Sequence, residues 1–202
     1  MAAQKGWKLF QLDVKSAFLN GVLHEEVYAD QPPGFMIKNK EDRVYRLKKA
    51  LYGLKQAPKQ WHQKFDQTMM SHGFKINECD KCVYIKNNKN SCVLVCLYVD
   101  DMLIMVTNKD IINFTKKMLC SNFDMKDLGL VDIILGIRVQ RTKQGYFLTQ
   151  SHYAEKILRK FGHFDDPSVV TPFDPSIHLA KNNGDAVSQL EYSQVIRSLY
   201  DE

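Results

Sequence analysis

The longest apolar stretch of the chain, Val93 to Val106 (VLVCLYVDDMLIMV), is broken at its middle by two adjacent carboxylates, Asp100 and Asp101. An unpaired carboxylate in apolar surroundings is costly enough that it normally neutralises or finds a counter-charge. The stretch is also too short to span a bilayer, which takes about 20 apolar residues. Both constraints are met if Cys92 to Val99 and Val99 to Val106 are apolar strands with the aspartates at a tight turn between them. What holds the two charges there then becomes a question about function.

The rest of the pattern supports a sheet. Trp7 to Val14 (WKLFQLDV) alternates and ends close to Asp13, as a strand delivering an acidic residue to its end would. Val44 to Leu47 and Cys82 to Ile85 are further strand candidates, the latter joined to the apolar run by the polar loop KNNKNS. Trp61, Phe65 and Met69 recur at helical spacing behind Pro58, which suits a first turn, and Gly73 closes that helix. Asp110 is expected to cap a second helix carrying Ile111, Phe114, Met118 and Leu119. Ile133 to Arg141, a Gln144-Gly145 turn and Tyr146 to Thr149 read as a hairpin, and Ser151 opens a helix running to Gly162. Residues 163–187 carry Pro167, Pro172 and Pro175 with little periodicity, as an extended connector would. Ser188 with Glu191 then makes a capping box before a last short helix. Paired strands followed by helices, without βαβ alternation, predict an α+β fold with an antiparallel sheet.

Composition bounds the rest. With 202 residues, 45% hydrophobic and 25% charged, the chain can bury one sizeable core, or one core plus a small appendage. The N-terminus MAAQKGWKLF has no apolar export signal, so the five cysteines are expected as reduced thiols of a protein that is not secreted. Cys79, Cys82, Cys92 and Cys96 are spaced so that they could hold zinc. Cys92 and Cys96, however, fall in a pattern apolar on both faces, where free cysteine packs as a small hydrophobe. Charge is uneven: nine basic residues from Lys38 to Lys64 face only Glu41 and Asp42, a local +7 in a chain whose total is +5. Such a stripe suits either phosphate contacts or a solvated face.

Successive side chains of an extended strand point to opposite faces, so Asp100 and Asp101 cannot both grip one ion from a straight strand. A divalent site needs a carboxylate from elsewhere, and Asp13 is the best candidate. Hard oxygen ligands suit Mg²⁺, and two such ions roughly 3.5–4 Å apart can activate a hydroxyl and stabilise a leaving pyrophosphate. The competing reading is that paired aspartates in a hairpin are a turn device.

YVDD at 98–101 resembles the polymerase signature of reverse transcriptases, and its surroundings resemble the copia-type retrotransposon polymerase. QLDVKSAFLNG (11–21) is similar to the first palm motif of that family, VYADQPPGF (27–35) to the segment after it, and YRLKKALYGLKQAPKQW (45–61) to the second motif. MKDLG (125–129) and ILGIRV (134–139) resemble the segments leading into and forming the primer-grip hairpin.

The resemblance implies a polymerase palm over residues 1–150, with helices on one sheet face. It implies a partial thumb or connection segment over 151–202, including the connector 163–187. Asp13, Asp100 and Asp101 would be the metal-binding and catalytic aspartates of two Mg²⁺ ions, with Mn²⁺ as a substitute, and Lys126 would protonate pyrophosphate. Phe18 falls where the family places an aromatic steric gate against a 2′-hydroxyl, implying deoxynucleoside triphosphates as substrate. Tyr52, Gly53, Lys55, Gln56 and Tyr98 would bind nucleotide and template, and Leu135, Gly136 and Ile137 would grip the primer. Trp61 and Phe65 read as helix core.

An RNA or DNA template-primer and the rest of a polyprotein (fingers, RNase H, integrase) are the implied partners. A cytoplasmic particle or the nucleus is the implied location, with no membrane. Relatives carry AAQKGWKL internally, so a fingers region is expected to be missing and the isolated chain to extend a primer little or not at all. The alternative is a non-catalytic retroelement remnant that at most binds nucleic acid.

Overall fold

A computed structural model describes residues 2–88, 91–168, 176, 178, 181, 184 and 188–200. In chain order its elements are β1 (Lys8–Val14), a 3-10 turn (Ala17–Asn20), β2 (Tyr28–Ala29), β3 (Tyr45–Arg46) and α1 (Ala57–Ser71). There follow β4 (Lys75–Ile76), β5 (Val83–Asn88), β6 (Ser91–Tyr98), β7 (Asp101–Val106), α2 (Lys109–Asn122) and β8 (Met125–Leu130). Last come β9 (Ile133–Ile134), β10 (Ile137–Arg141), β11 (Tyr146–Thr149), α3 (Ser151–Phe161) and α4 (Gln189–Tyr200). The class is α+β with antiparallel sheets, as the pattern predicts.

The main sheet has the order β4-β5-β6-β7-β1-β8, so the first strand of the chain is inserted between β7 and β8. Its register pairs Leu12 with Met102 and Phe10 with Ile104. Those positions, with Val14, Tyr84, Val93, Val95, Leu97 and Val106, make one apolar face. Trp61, Phe65 and Met69 of α1 and Ile112, Met118 and Leu119 of α2 cover it, all buried. The aromatic rings interlock: Phe65 lies 5.1 Å from Tyr84 edge-on and 5.6 Å from Phe123 stacked, and Trp61 meets Phe123 edge-on at 5.2 Å. Edge-to-face and offset geometry adds to the area term, and truncating such a ring to Ala costs about 3–5 kcal/mol. The hydroxyl of buried Tyr84 donates to Asp66, which also faces His62 Nδ1 at 3.3 Å. Burial, then that hydrogen bond and the Asp66 charge, push the Tyr84 phenol far above its ordinary value.

Local chemistry sets the element ends. Pro58 sits in the first turn of α1, where a missing N–H costs nothing. The cap of α2 is Asn108 rather than Asp110: the Asn108 side chain accepts from the Asp110 N–H at 3.0 Å, and Asp110 lies inside the first turn. An extended Asn just before the helix satisfies an orphan donor, while the acidic residue still complements the helix dipole. Gly162 takes φ +78 to end α3, as expected. MKDLG (125–129), expected as a lead-in to the hairpin, lies within strand β8, which runs on to Leu130.

Five cysteines are unbonded thiols. Burial first, then the charges of Asp80 and Cys82, push Cys96 up to about 11, so it stays neutral at ordinary pH. Among the described residues no helix is long and apolar enough to cross a membrane.

The chain divides into two compact units, residues 1–135 with 139–147, and 136–138 with 148–202. In the second, the Tyr153 hydroxyl of α3 donates to the Ser198 carbonyl of α4 at 3.2 Å. Ser188 Oγ accepts from the Glu191 N–H at 3.4 Å, the expected cap of α4. Most of the connector expected over 163–187 lies outside the described residues.

β8 is tied to α2 by Lys116, whose ammonium contacts both Asp127 oxygens at 2.7 Å and lies 4.6 Å from the Phe10 ring centre. Burial alone pushes the Asp127 carboxyl up; the Lys116 hydrogen bond, the Gly129 N–H and the Lys116 charge outweigh it and hold it below the usual range. A carboxylate depressed on folding stabilises above its unfolded pKa, about 3.9, and loses that contribution as pH falls through the folded value. Thermal melts should show Lys116→Met narrowing the drop in Tm between pH 5 and 3; an unchanged drop would rule the pair out as its source.

Candidate functional site

The tight turn is built from two residues. Tyr98 and Asp101 are the closing pair of the β6–β7 hairpin, leaving Val99 and Asp100 as the loop. Two-residue hairpins need left-handed backbone, and Val99 adopts it with φ +51. A β-branched residue there is strained by about 1–3 kcal/mol and persists only where its surroundings over-determine it. Two hydrogen bonds do so. The Trp61 indole N–H donates to the Val99 carbonyl at 2.9 Å, and the Val14 N–H donates to the Asp100 carbonyl at 2.8 Å. Trp61 is therefore core, as expected, and also fastens the core to the turn.

Register then lines up the chemistry. Asp101 pairs with Tyr98 on one side and Asp13 on the other, and Asp13 pairs with Lys126 across β8. Directly opposed residues of an antiparallel sheet project from one face. Tyr98, Asp101, Asp13 and Lys126 thus form a row across four strands, on the face away from α1 and α2. Gln11, two positions before Asp13, belongs to the same face and is buried, its amide donating to Asp101 Oδ1 at 3.1 Å. Sequence reasoning missed Gln11; the signal was a polar residue at i−2 from a singled-out aspartate, on the same side of the strand.

Like charges placed directly opposite each other on a sheet repel, so the Asp13–Asp101 pair favours a cation between or above them. Asp100, at the turn, is held differently: the Tyr52 hydroxyl lies 3.0 Å and 3.1 Å from its two carboxylate oxygens. Burial first, then this hydrogen bond and the Asp100 charge, raise the Tyr52 phenol above its ordinary value. Among the described residues no three acidic, His or Cys side chains already form a metal-binding group. The donor set still suits a hard divalent cation, since Asp13, Asp100 and Asp101 offer only carboxylate oxygen.

Phe18 stands in the 3-10 turn after β1, its ring 4.5 Å from that of Tyr52 and tilted by 44°. Tyr52 reaches it because residues 48–50 are hung on 21–23: Ala50 donates to Gly21 O at 2.9 Å and Leu23 to Lys48 O at 3.2 Å. Gly21 has no alternative, since a Cβ there would lie 2.9 Å from Gln60 Cβ. Gly53 takes φ +93 in the turn that carries the chain from Tyr52 into α1, and the Leu54 N–H closes that turn on Leu51 O at 3.2 Å. Gln56 caps α1 without a side-chain bond, and Lys55 is exposed beside it. The nine basic residues of the stripe are all exposed, and Arg46 pairs with Glu26 at 3.0 Å.

The structure thus brings together Asp13, Asp100, Asp101, Lys126, Tyr98, Phe18 and Tyr52. Leu135 and Gly136, with φ +51 and +76, lie between β9 and β10, and Ile137 opens β10. These last three are placed locally, as a tight reversal.

Over residues 1–175 the chain matches the protein family described as reverse transcriptase (RNA-dependent DNA polymerase). It is 43% identical over 184 residues to the retrovirus-related Pol polyprotein from transposon TNT 1-94 of Nicotiana tabacum, covering 90% of this chain and 14% of that protein. To the Pol polyprotein from transposon RE2 of Arabidopsis thaliana it is 34% identical over 200 residues, covering 98% of this chain and 14% of the relative. The transposon Ty1-NL2 Gag-Pol polyprotein of Saccharomyces cerevisiae matches at 29% over 221 residues, 98% of this chain and 12% of that protein. The chain therefore spans about a seventh of the length of these relatives. No solved structure matches it.

Because Val99 occupies strained left-handed backbone, Val99→Gly should hold or raise stability by about 0.5–1 kcal/mol in urea unfolding, against the loss a Val→Gly change brings in relaxed strand. A loss of that ordinary size would show the turn is unstrained.

Proposed function

Because this chain belongs to the reverse transcriptase (RNA-dependent DNA polymerase) family, we propose that it is the palm of a copia-type retrotransposon polymerase. In this reading it adds deoxynucleotides to a primer 3′-hydroxyl on an RNA or DNA template. The observation that carries the reading is the opposition of Asp13 and Asp101 in register, with Asp100 at the adjoining turn. Asp13, Asp100 and Asp101 would hold Mg²⁺, which when bound lowers the barrier for primer-hydroxyl attack and for pyrophosphate departure.

The chain's own residues supply the rest of the proposed mechanism. Gln11 fixes the orientation of Asp101, leaving the other oxygen of that carboxylate for work. Phe18, backed by Tyr52, would fill the space beneath the sugar and exclude a 2′-hydroxyl. Lys126 Nζ, at the end of the row, would offer a proton to the departing pyrophosphate. Tyr98 would flank the nucleotide, and Gly53, Lys55 and Gln56 would line its approach. The turn at Leu135, Gly136 and Ile137 would meet the primer end, where glycine permits close backbone approach. The exposed basic stripe would track phosphates, positioning template-primer without reading its sequence. Longer relatives support further polyprotein segments as partners; a cytoplasmic particle or the nucleus is the proposed place of action.

Residues 1–202, embedded in a Pol polyprotein that extends a primer, should sustain Mg²⁺-dependent deoxynucleotide incorporation, and Asp100→Asn should reduce it by at least about 100-fold. The isolated chain should bind template-primer with affinity falling steeply with salt. Lys48→Glu with Lys49→Glu should flatten that slope by about one unit for each phosphate no longer neutralised. Incorporation indifferent to Asp100→Asn would contradict the polymerase reading. Salt-steep binding without incorporation would instead identify a non-catalytic nucleic-acid-binding remnant.

A further inference from the structure

Asp100 differs from its two partners in what it touches. Asp13 and Asp101 face each other across strands, whereas both oxygens of Asp100 are taken by a single phenol, at 3.0 Å and 3.1 Å. A donor placed symmetrically between the two oxygens covers the side on which a cation would bind both. The phenol comes from outside the sheet, on the loop between Ala50 and α1. Its aim is set by the Phe18 ring beneath it, 4.5 Å away, and by the Gly53 turn behind it, with φ +93. It is also free to leave: Tyr52 is 52% exposed, so its ring can swing out without opening the core.

We propose that Tyr52 is a positioning residue whose hydroxyl competes with a divalent cation for the Asp100 carboxylate, so that a cation engaging Asp100 must first displace it. This rests on the polymerase reading above. The chemistry is a hydrogen-bond exchange: the phenol keeps its proton, gives up the carboxylate as its acceptor and turns to water, while the carboxylate passes from a donor to a metal. The displaced ring is the one that rests on Phe18. Cation arrival and uncovering of the steric-gate position therefore become one movement.

Tyr52→Phe keeps the ring and its packing on Phe18 while deleting the competing donor. The test is Mn²⁺ binding to the full chain, read as the loss of the free-ion EPR signal, for wild type, Tyr52→Phe, Asp100→Asn and the double variant. Circular dichroism would verify that each is folded. A typical hydrogen bond's net worth predicts that Tyr52→Phe binds Mn²⁺ about 3- to 10-fold more tightly than wild type, and that Asp100→Asn abolishes this gain. Equal or weaker binding by Tyr52→Phe, with wild type still binding better than Asp100→Asn, overturns the competition and leaves the polymerase reading standing. Equal binding by wild type and Asp100→Asn, with a gain only in Tyr52→Phe that the double variant loses, supports a hydroxyl that holds Asp100 closed. No Asp100-dependent binding in any variant overturns both readings at once.

Discussion

The pairing of β1 with β7 carries the rest of the structure. It joins residues about 90 positions apart, and its register does two things at once. Leu12 against Met102 and Phe10 against Ile104 send their side chains under the helices, while Asp13 against Asp101 sends carboxylates to the other face. Because the side-chain period of a strand is two, a slip of one residue would bury the aspartates and expose the core. Fold stability and site geometry are therefore enforced by the same hydrogen-bonded ladder. A core of Trp61, Phe65, Tyr84 and Phe123 that tolerates only one register also tolerates only one arrangement of carboxylates.

Energy flows from that core to the turn in a specific way. Val99 occupies backbone that a β-branched residue resists, and the indole N–H of a fully packed Trp61 holds its carbonyl. The strained position lies next to Asp100, so α1 packing helps to set where that carboxylate stands. Gln11 performs the corresponding service for Asp101 from within the sheet. Asp100 alone takes its side-chain hydrogen bond from an exposed loop, through Tyr52.

Much of this is legible in the amino-acid sequence. The interrupted apolar run announced the β6–β7 hairpin, the alternation of WKLFQLDV announced β1, and the helical spacing of Trp61, Phe65 and Met69 announced α1. The family resemblance of the motifs points to Asp13, Asp100, Asp101, Phe18, Tyr52 and Lys126, which the fold gathers. What escaped did so for physical reasons. Edge strand β8 has mostly exposed residues and so little alternation to read. The Asn108 cap was hidden because an extended Asn and an acidic first-turn residue give overlapping signals. Left-handed backbone at Val99 and Leu135 has no side-chain signature; which carboxylate Gln11 meets depends on the β1–β7 register, and the Tyr52 bond on how the loop after Lys48 hangs on residues 21–23.

The central proposal, that one register sets Asp13, Asp101 and the Asp100 turn where they would hold a divalent cation, is tested most directly by paramagnetic broadening. Substoichiometric Mn²⁺ added to isotopically labelled chain should first erase the amide signals of residues 11–15, 98–101 and 126. Asp13→Asn should abolish that pattern. Broadening centred on other carboxylates, such as Asp165 and Asp166, or spread evenly over the surface, would contradict the account.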